Sequence, residues 1–489
     1  MWEQGRPMQS WLWGLIAVTT MIRLIFAAST GLGIDESYMV SAGRVLSLGY
    51  FDHPPAAWWL SWGAAHLFGT EAPFVVRLPF IALFALSTLL MERLGTAVAH
   101  ERAGFFAALL LNISPVFGVT GGTWVLPDGP LLCALLAAAL CLVHAIQGRG
   151  LAWWCGAGLC AGLALAAKYS AILTIGGAFL FLVTSREHRR WLARPGPYFA
   201  ALLACLVFSP VIVWNATHGW ASFAFQGERA VGLRFRPFAP VTTLLGEALF
   251  VLPWIWAPML MQMARSFWRP SAAASDRLLA WLAAPPIIGF ALIAAWSSQR
   301  VLFHWAAPGY LMLFPLLGRE VAAHVHLPWV RYAIGGSAAL IIVAMAVIGL
   351  QTRFDVFGDR LTALMRKDPS IEGIDWTSLR ADLTERGLLQ PSTLVGVPNW
   401  RDAGKIAYGL GPDVTVLCLN RDSRQFGFAN PPGRHPGQDV LLLALTPAPV
   451  AGIFERIDPL PASAIRHLGR TLAPVSVSIG RNLIAWPPP

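Results

Sequence analysis

Two adjacent acids, Asp35 and Glu36, follow closely on an apolar stretch that runs from Trp11 to Ser29. A carboxylate within hydrogen-bond reach of a hydroxyl can take its proton as that hydroxyl attacks, so one acid of the pair is a candidate general base. Two unpaired acids buried beside a membrane span would be costly, whereas a wet cavity near the interface tolerates them. The plainer alternative is a solvated helix start, with Asp35 capping the helix that carries Tyr38. Further along come Gly49-Tyr50-Phe51-Asp52-His53-Pro54-Pro55 and an amphipathic run from Ala56 to Phe68.

Several cations and polar groups stand at the ends of other apolar runs. Lys168 and Tyr169 close Gly162-Leu163-Ala164-Leu165-Ala166-Ala167. A lysine there suits a lipid phosphate, or else it snorkels to the headgroups. Asp128 opens a span in Leu126-Pro127-Asp128-Gly129-Pro130, where it either has a positioning role or simply starts a helix. Arg300 and His304 precede a span in Arg300-Val301-Leu302-Phe303-His304-Trp305. Fixed cations stabilise negative charge that develops in a transition state, and Arg with Trp also anchors a span at the interface. Loop 215–240 offers Arg229 or Arg234 for the same phosphate, with loose headgroup contact as the alternative. Arg23, inside the first apolar stretch, is a costly charge that requires a polar partner.

The chain that must position these residues has 489 residues, of which 56% are hydrophobic and 13% charged. Soluble domains carry about 25% charged residues, so most of this chain is membrane-embedded. Residues 351–489 hold 15 of the 36 Lys and Arg and 13 of the 26 Asp and Glu. That division predicts a membrane domain over 1–350 and a soluble α/β domain over 351–489. The net charge of +10 comes without a long basic run, which argues against nucleic acid as a partner. Five of the six cysteines lie in apolar stretches, Cys418 is alone in the tail, and no C-x-x-C occurs. No metal or redox site is indicated.

A crossing needs about 20 apolar residues. Spans are predicted near 11–30, 73–92, 103–120, 128–146, 151–167, 170–185, 197–214, 241–263, 278–296, 305–318 and 328–350, about eleven in all. Arginines at 93, 149, 186–194, 265–277 and 319 mark one set of loops as cytoplasmic under the positive-inside rule. The N-terminus then lies inside, and the first loop, 31–72, and the tail lie outside. Loop 215–240 is also basic and obeys the rule imperfectly. In the tail, 392–397, 414–418 and 439–445 read as strands and 400–410 as a helix. There is no G-x-G-x-x-G and no P-loop lysine.

The first loop resembles that of the GT-C superfamily of membrane glycosyltransferases. The likeness is greatest to the bacterial branch with the lipid A aminoarabinose transferase and the protein O-mannosyltransferase-like enzymes. It rests on the acid pair with Tyr38, on Gly49-Tyr50-Phe51-Asp52-His53-Pro54-Pro55, and on Arg77-Leu78-Pro79. It covers residues 10–310 and is strongest over 31–80. It implies Asp35 as catalytic base, with Glu36, Tyr38, His53, Asp128, Lys168, Tyr169, Arg229, Arg234, Arg300 and His304 as substrate-binding residues. Family members often carry Lys where this chain has His53; a lysine is always cationic at neutral pH and a histidine only partly so. The implied reaction moves one sugar, with inversion, from a polyprenyl phosphate to a hydroxyl of a lipid A, lipopolysaccharide or other envelope acceptor. It would run at the outer face of a bacterial inner membrane, with no cofactor required. A lipid-linked sugar flippase or a protein O-glycosyltransferase is the alternative. The sugar, the acceptor and the oligomeric state are not legible in the sequence.

Overall fold

The computed structural model describes residues 8–230, 235–297, 300–365, 368–390, 392–446, 452–484 and 486. Backbone in lipid finds no water to bond, so apolar stretches close their hydrogen bonds within helices. Among the described residues, six helices are long and apolar enough to cross a membrane: Met8–Ser29, Pro73–Val98, Asp128–Ile146, Gly196–Thr217, Ala274–Ala294 and Pro328–Phe354. Ala239–Val251 and Pro253–Trp268 make a seventh candidate, bent by 115°. The bend falls at Leu252, whose φ of 84° is left-handed. Pro253 explains it, because a proline crowds the preceding residue out of the right-handed helical region. The chain is a polytopic membrane protein.

Several of the other apolar segments expected from sequence are shorter or broken helices, and prolines account for the breaks. Segment 103–120 is the helix Glu101–Asn112 followed by a π-turn, Val116–Gly121, with Pro115 between them. Segment 305–318 divides into Ala307–Leu311 and Phe314–His324, each with a proline in its first turn. Proline suits a helix start and not its interior. Leu151–Ala167 and Ala171–Thr184 are apolar helices of 17 and 14 residues. Hydropathy finds apolar runs; it does not say which of them run unbroken.

The chain forms two compact units. The larger comprises Met1–Leu24, Leu48–Ala57 and Leu78–Ala344. Within it, Leu151–Ala167 lies close against Gly196–Thr217, because a Cβ on Gly158 would fall 2.3 Å from the Ala200 carbonyl oxygen. Small residues permit such backbone approach in lipid, where apolar burial drives no association. Arg23 finds its polar partners here: it donates to Asn112 Oδ1 at 3.1 Å and to the Gly118 carbonyl at 3.1 Å. Its guanidinium also lies 4.3 Å from the Phe84 ring centre.

The smaller unit comprises Ile25–Ser47, Trp58–Arg77 and Met345–Pro489. A cut at residue 350 therefore misses two pieces of the first loop that fold with the tail. The tail carries a five-stranded sheet of β1 (Leu394–Val397), β2 (Thr415–Cys418), β3 (Val440–Ala444), β4 (Phe454–His467) and β5 (Arg470–Leu483), in the order β2-β1-β3-β5-β4. β1 pairs parallel with β2 and β3, and β5 pairs antiparallel with β3 and β4. The helix Trp400–Leu410 supplies the crossover that parallel β1 and β2 need. Its N-terminus is capped by Asn399, which accepts from the Asp402 amide at 2.9 Å. β1 to β3 and this helix match the segments expected from sequence. The β4–β5 hairpin does not read as strand, because Pro459 and Pro461 interrupt it. An outer strand such as β4 tolerates proline, since its free edge needs no N–H.

Candidate active site

In the smaller unit, the helix Ile34–Ala42 begins with the acid pair. Successive residues of a helix point about 100° apart, so neighbours divide between inside and outside. Asp35 is exposed and Glu36 is 3% exposed. Both Glu36 oxygens accept from Arg77, at 2.8 Å and 2.6 Å, and Oε2 also accepts from the Gly33 amide at 2.8 Å. That last bond is half of a capping box, in which the third helical residue satisfies an amide at the helix start. Glu36 is thus an anchor for the loop rather than a group open to a substrate. Tyr38 is likewise enclosed. Its ring centre lies 5.4 Å from that of Trp58, 5.2 Å from Trp400 and 5.8 Å from Phe426, and its hydroxyl accepts from the Gln425 amide at 2.9 Å.

In the larger unit, Lys168 stands where the helix Leu151–Ala167 ends, in extended backbone. Asp128 is the first residue of Asp128–Ile146. A cation at a helix C-terminus and an anion at an N-terminus are each favoured by the helix dipole. The two meet: Lys168 Nζ donates to both Asp128 oxygens, at 2.9 Å and 3.1 Å. Asp128 therefore neither caps its helix nor stands alone, and the ammonium expected to await a phosphate already holds a carboxylate. His304 and His53 lie within electrostatic reach of the same carboxylate. Burial pushes the His304 imidazole down to about 4, nearby Lys168 adds to this, and Asp128 opposes it. His304 is thus neutral near pH 7, not one of the fixed cations.

The remaining described candidates lie in the same unit. Tyr169 shares a 2.7 Å hydrogen bond with the Ser222 hydroxyl. Its ring packs edge-on to Phe208 and Phe223. Arg229, in the last turn of Ala221–Ala230, lies 4.9 Å from the Trp305 ring centre and 5.2 Å from that of Phe225. Arg300 lies 4.8 Å from the Phe303 ring centre. It lines a cavity of about 420 Å³ with Arg236, Thr242 and Thr243. Arg234 lies outside the described residues. Among the described residues, no three His, Cys, Asp or Glu side chains group as metal ligands would.

The sequence profile of the dolichyl-phosphate-mannose-protein mannosyltransferase family matches residues 52–214. Lipid A galacturonosyltransferase RgtD of Rhizobium johnstonii is 25% identical over 297 residues, 58% of this chain and 59% of that protein. Undecaprenyl phosphate-alpha-4-amino-4-deoxy-L-arabinose arabinosyl transferase 1 of Sodalis glossinidius is 30% identical over 300 residues, 57% of this chain and 51% of that protein. The chain thus spans somewhat over half the length of the curated relatives it matches. Among solved structures, ArnT from Cupriavidus metallidurans bound to undecaprenyl phosphate superposes with a TM-score of 0.64 at 15% identity. That match covers 96% of this chain and 98% of the other. The chain has the fold of ArnT. The archaeal oligosaccharyltransferase AglB of Archaeoglobus fulgidus agrees with this more distantly, at a TM-score of 0.51 and 13% identity, over 89% of this chain and 69% of that one.

The profile match takes in His53, Asp128, Lys168 and Tyr169 and leaves Asp35, Arg229, Arg300 and His304 outside it. Three residues around the acid pair escape sequence reasoning: Arg77, Asp375 and Lys405. Arg77 gives a signal, because an arginine at the start of an apolar span is costly and must have partners. Lys405 gives another, as a lone lysine among Ala403, Ile406 and Ala407 on a helix packed into a core. Arg236, beside Arg300 at the cavity, is one of three arginines in its loop and nothing in the sequence singles it out.

Proposed function

We propose that this chain is an inverting glycosyltransferase that moves one sugar from a polyprenyl phosphate to a hydroxyl of an extracytoplasmic envelope lipid or glycan. The observation that carries this is the fold agreement, over nearly all of both chains, with a protein solved with undecaprenyl phosphate. Asp35 is the general base: its exposed carboxylate takes the acceptor's proton. The acceptor oxygen bonds to the sugar's C1 as the bond from C1 to the phosphate oxygen breaks on the opposite face. Polyprenyl phosphate leaves with the electron pair, and the anomeric configuration inverts.

The leaving phosphate gathers negative charge, and fixed cations lower that barrier. Arg300 and Arg236 at the 420 Å³ cavity suit it, since guanidinium meets phosphate in a forked geometry. Lys168 contributes a further positive charge, tempered by Asp128. His53 and Arg229 contact the sugar or phosphate from the same unit. The arginine-bearing loops support a cytoplasmic N-terminus, with the first loop and the tail in the periplasm.

Lipid A or a related lipopolysaccharide is the favoured acceptor, because one relative is named for transfer to lipid A, while another is named for an undecaprenyl phosphate donor. The family profile, named for protein mannosyl transfer, favours a second reading in which the acceptor is a protein hydroxyl. Mass spectrometry of lipid A, envelope glycans and membrane proteins from cells with and without the gene tests both. A mass increment of one sugar on lipid A or glycan, lost with the gene, is the expected outcome. An increment on protein alone selects the second reading. Altered sidedness of the lipid-linked sugar, with every acceptor unchanged, would sink the transferase proposal in favour of transport.

A further inference from the structure

Lys405 is 1% exposed, in the helix Trp400–Leu410 of the smaller unit. Taking an ammonium out of water costs several kcal/mol unless other bonds replace the lost hydration. Here three carbonyl oxygens do so: those of Leu32 at 2.6 Å, Ile374 at 2.6 Å and Glu372 at 3.3 Å. The Trp376 ring centre lies 5.5 Å away. Burial pushes the Lys405 amine down to about 8, against the pull of Asp375 and Glu36, so it is charged at neutral pH.

The bond to Leu32 is half of a clamp. The Leu32 amide donates to the Asp375 carboxylate at 3.0 Å. Both polar groups of one residue are thus held by side chains of opposite charge, Lys405 buried and Asp375 half-buried. The residue before it is fixed too: the Gly31 amide donates to the Gly373 carbonyl at 2.8 Å. Only glycine fits there, since a Cβ would fall 2.7 Å from Asp375 Oδ1. Arg77 holds the carbonyls of Thr30 and Gly31, at 3.0 Å and 2.7 Å. Every residue from Thr30 to Gly33 is therefore tied down by a buried charge or by tail backbone. Asp35 stands exposed one turn beyond.

This arrangement exceeds what docking requires. Tyr38, Trp58, Trp400 and Phe426 already join the same elements by apolar contact. A buried charge satisfied by polar partners adds little stability over an apolar substitute of similar shape, and fixing geometry is the better-attested use of such groups. We propose that Lys405 and Asp375 are positioning residues for the reaction: by clamping the Leu32 peptide, the tail domain sets the place and direction of the Asp35 carboxylate. The proposal rests on Asp35 being the base.

The test uses the full-length protein in lipid nanodiscs, with lipid-linked sugars extracted from the host membranes as donor and host lipid A as acceptor. Lys405→Met is expected to lower the transfer rate by about 10- to 100-fold, the scale of a misplacement near 1 Å. Its affinity for undecaprenyl phosphate, the probe for the phosphate site, stays within about twofold of the parent. Asp375→Asn keeps an acceptor for the Leu32 amide and is expected to lose less rate than Asp375→Leu. Adding Lys405→Met to Asp35→Asn is expected to cost no further rate, because a positioning residue has nothing left to position. If Lys405→Met fails to fold, the two Asp375 variants carry the comparison.

A rate that falls only in proportion to the folded fraction, or losses that multiply in the double variant, would overturn the proposal. Near-normal transfer by Asp35→Asn alone would instead remove the base assignment on which it stands.

Discussion

In the smaller unit Asp35 stands exposed next to a Glu36 that Arg77 holds inside. In the larger unit the Asp128 carboxylate is buried and holds Lys168. The first pair consists of like charges one residue apart, which a helix turn sends to opposite environments. The second consists of unlike charges 40 residues apart, which two helix ends bring to 2.9 Å. Residue type alone ranks all four as equal candidates. What separates the three acids is burial: Glu36 and Asp128 are enclosed with a cation, whereas Asp35 is exposed.

The comparison breaks most sharply at the acid pair. Glu36→Gln leaves the Arg77 guanidinium, 1% exposed, without its counter-charge. Losing one member of a buried pair costs about 3–5 kcal/mol, so this variant is expected to lower the unfolding midpoint strongly. Asp35→Asn, one residue away, is expected to fold and bind undecaprenyl phosphate normally while losing transfer by about 100-fold or more, the usual contribution of a general base. Thermal unfolding and initial rates, measured on both variants, decide it. Equal stability losses in the two would show that the division between buried anchor and exposed base is false.

At the second pair the two roles compete, and anion affinity sharpens the picture. Lys168→Met is expected to weaken undecaprenyl phosphate binding and to leave Asp128 buried without its cation. Asp128→Asn is expected to tighten that binding several-fold, since it removes an anion that competes for the ammonium. Both are expected to destabilise by about 2–3 kcal/mol, less than the first pair because Lys168 is 12% exposed. Titration with undecaprenyl phosphate reads the affinities. An unchanged affinity in Lys168→Met would make the pair a structural tie only.

How much of this was legible follows from how far each signal reaches along the chain. Helix-length apolar runs mark most spans, and three of the five strands read as short buried runs. The breaks at Pro115, Leu252 and Pro315 divide the apolar runs, and they depend on local geometry that hydropathy averages away. Asp35 was legible as a candidate because its order with Tyr38, Pro54 and Pro55 carries a resemblance. Its exposure was not, because that depends on Arg77 occupying Glu36 from 41 residues away. Lys405 bonding Leu32 across 373 residues lies beyond any local pattern.

His304 extends the comparison to pH. Its folded value of about 4 lies below the ordinary value of 6.5. Between those values the unfolded chain binds a proton that the folded chain refuses, so stability falls as pH drops from 6.5 toward 4. The loss attributable to this ring is about 1–3 kcal/mol, after allowance for its partial exposure. His304→Gln is expected to flatten that part of the stability curve without altering it above pH 7. Unfolding midpoints at pH 5 and pH 7.5 check this. An undiminished acid loss in the variant would assign it to other groups.

Tyr169 should give the smallest effect. Its hydroxyl meets Ser222 at 2.7 Å, and its ring is held by Phe208 and Phe223. Tyr169→Phe keeps the ring and its packing and removes one hydrogen bond, a net loss of about 1 kcal/mol. Ser222 is fully buried, so part of that loss comes from its stranded hydroxyl. Ser222→Ala added to Tyr169→Phe should then recover stability, because removing both partners of a buried bond is nearly neutral. Transfer is expected to stay within about threefold of the parent in both variants. A tenfold loss of transfer in Tyr169→Phe with little change in midpoint would mean that the hydroxyl touches the substrate. Tyr169 would then stand with Asp35 as a group open to the reaction, rather than with Glu36 as one the fold already holds.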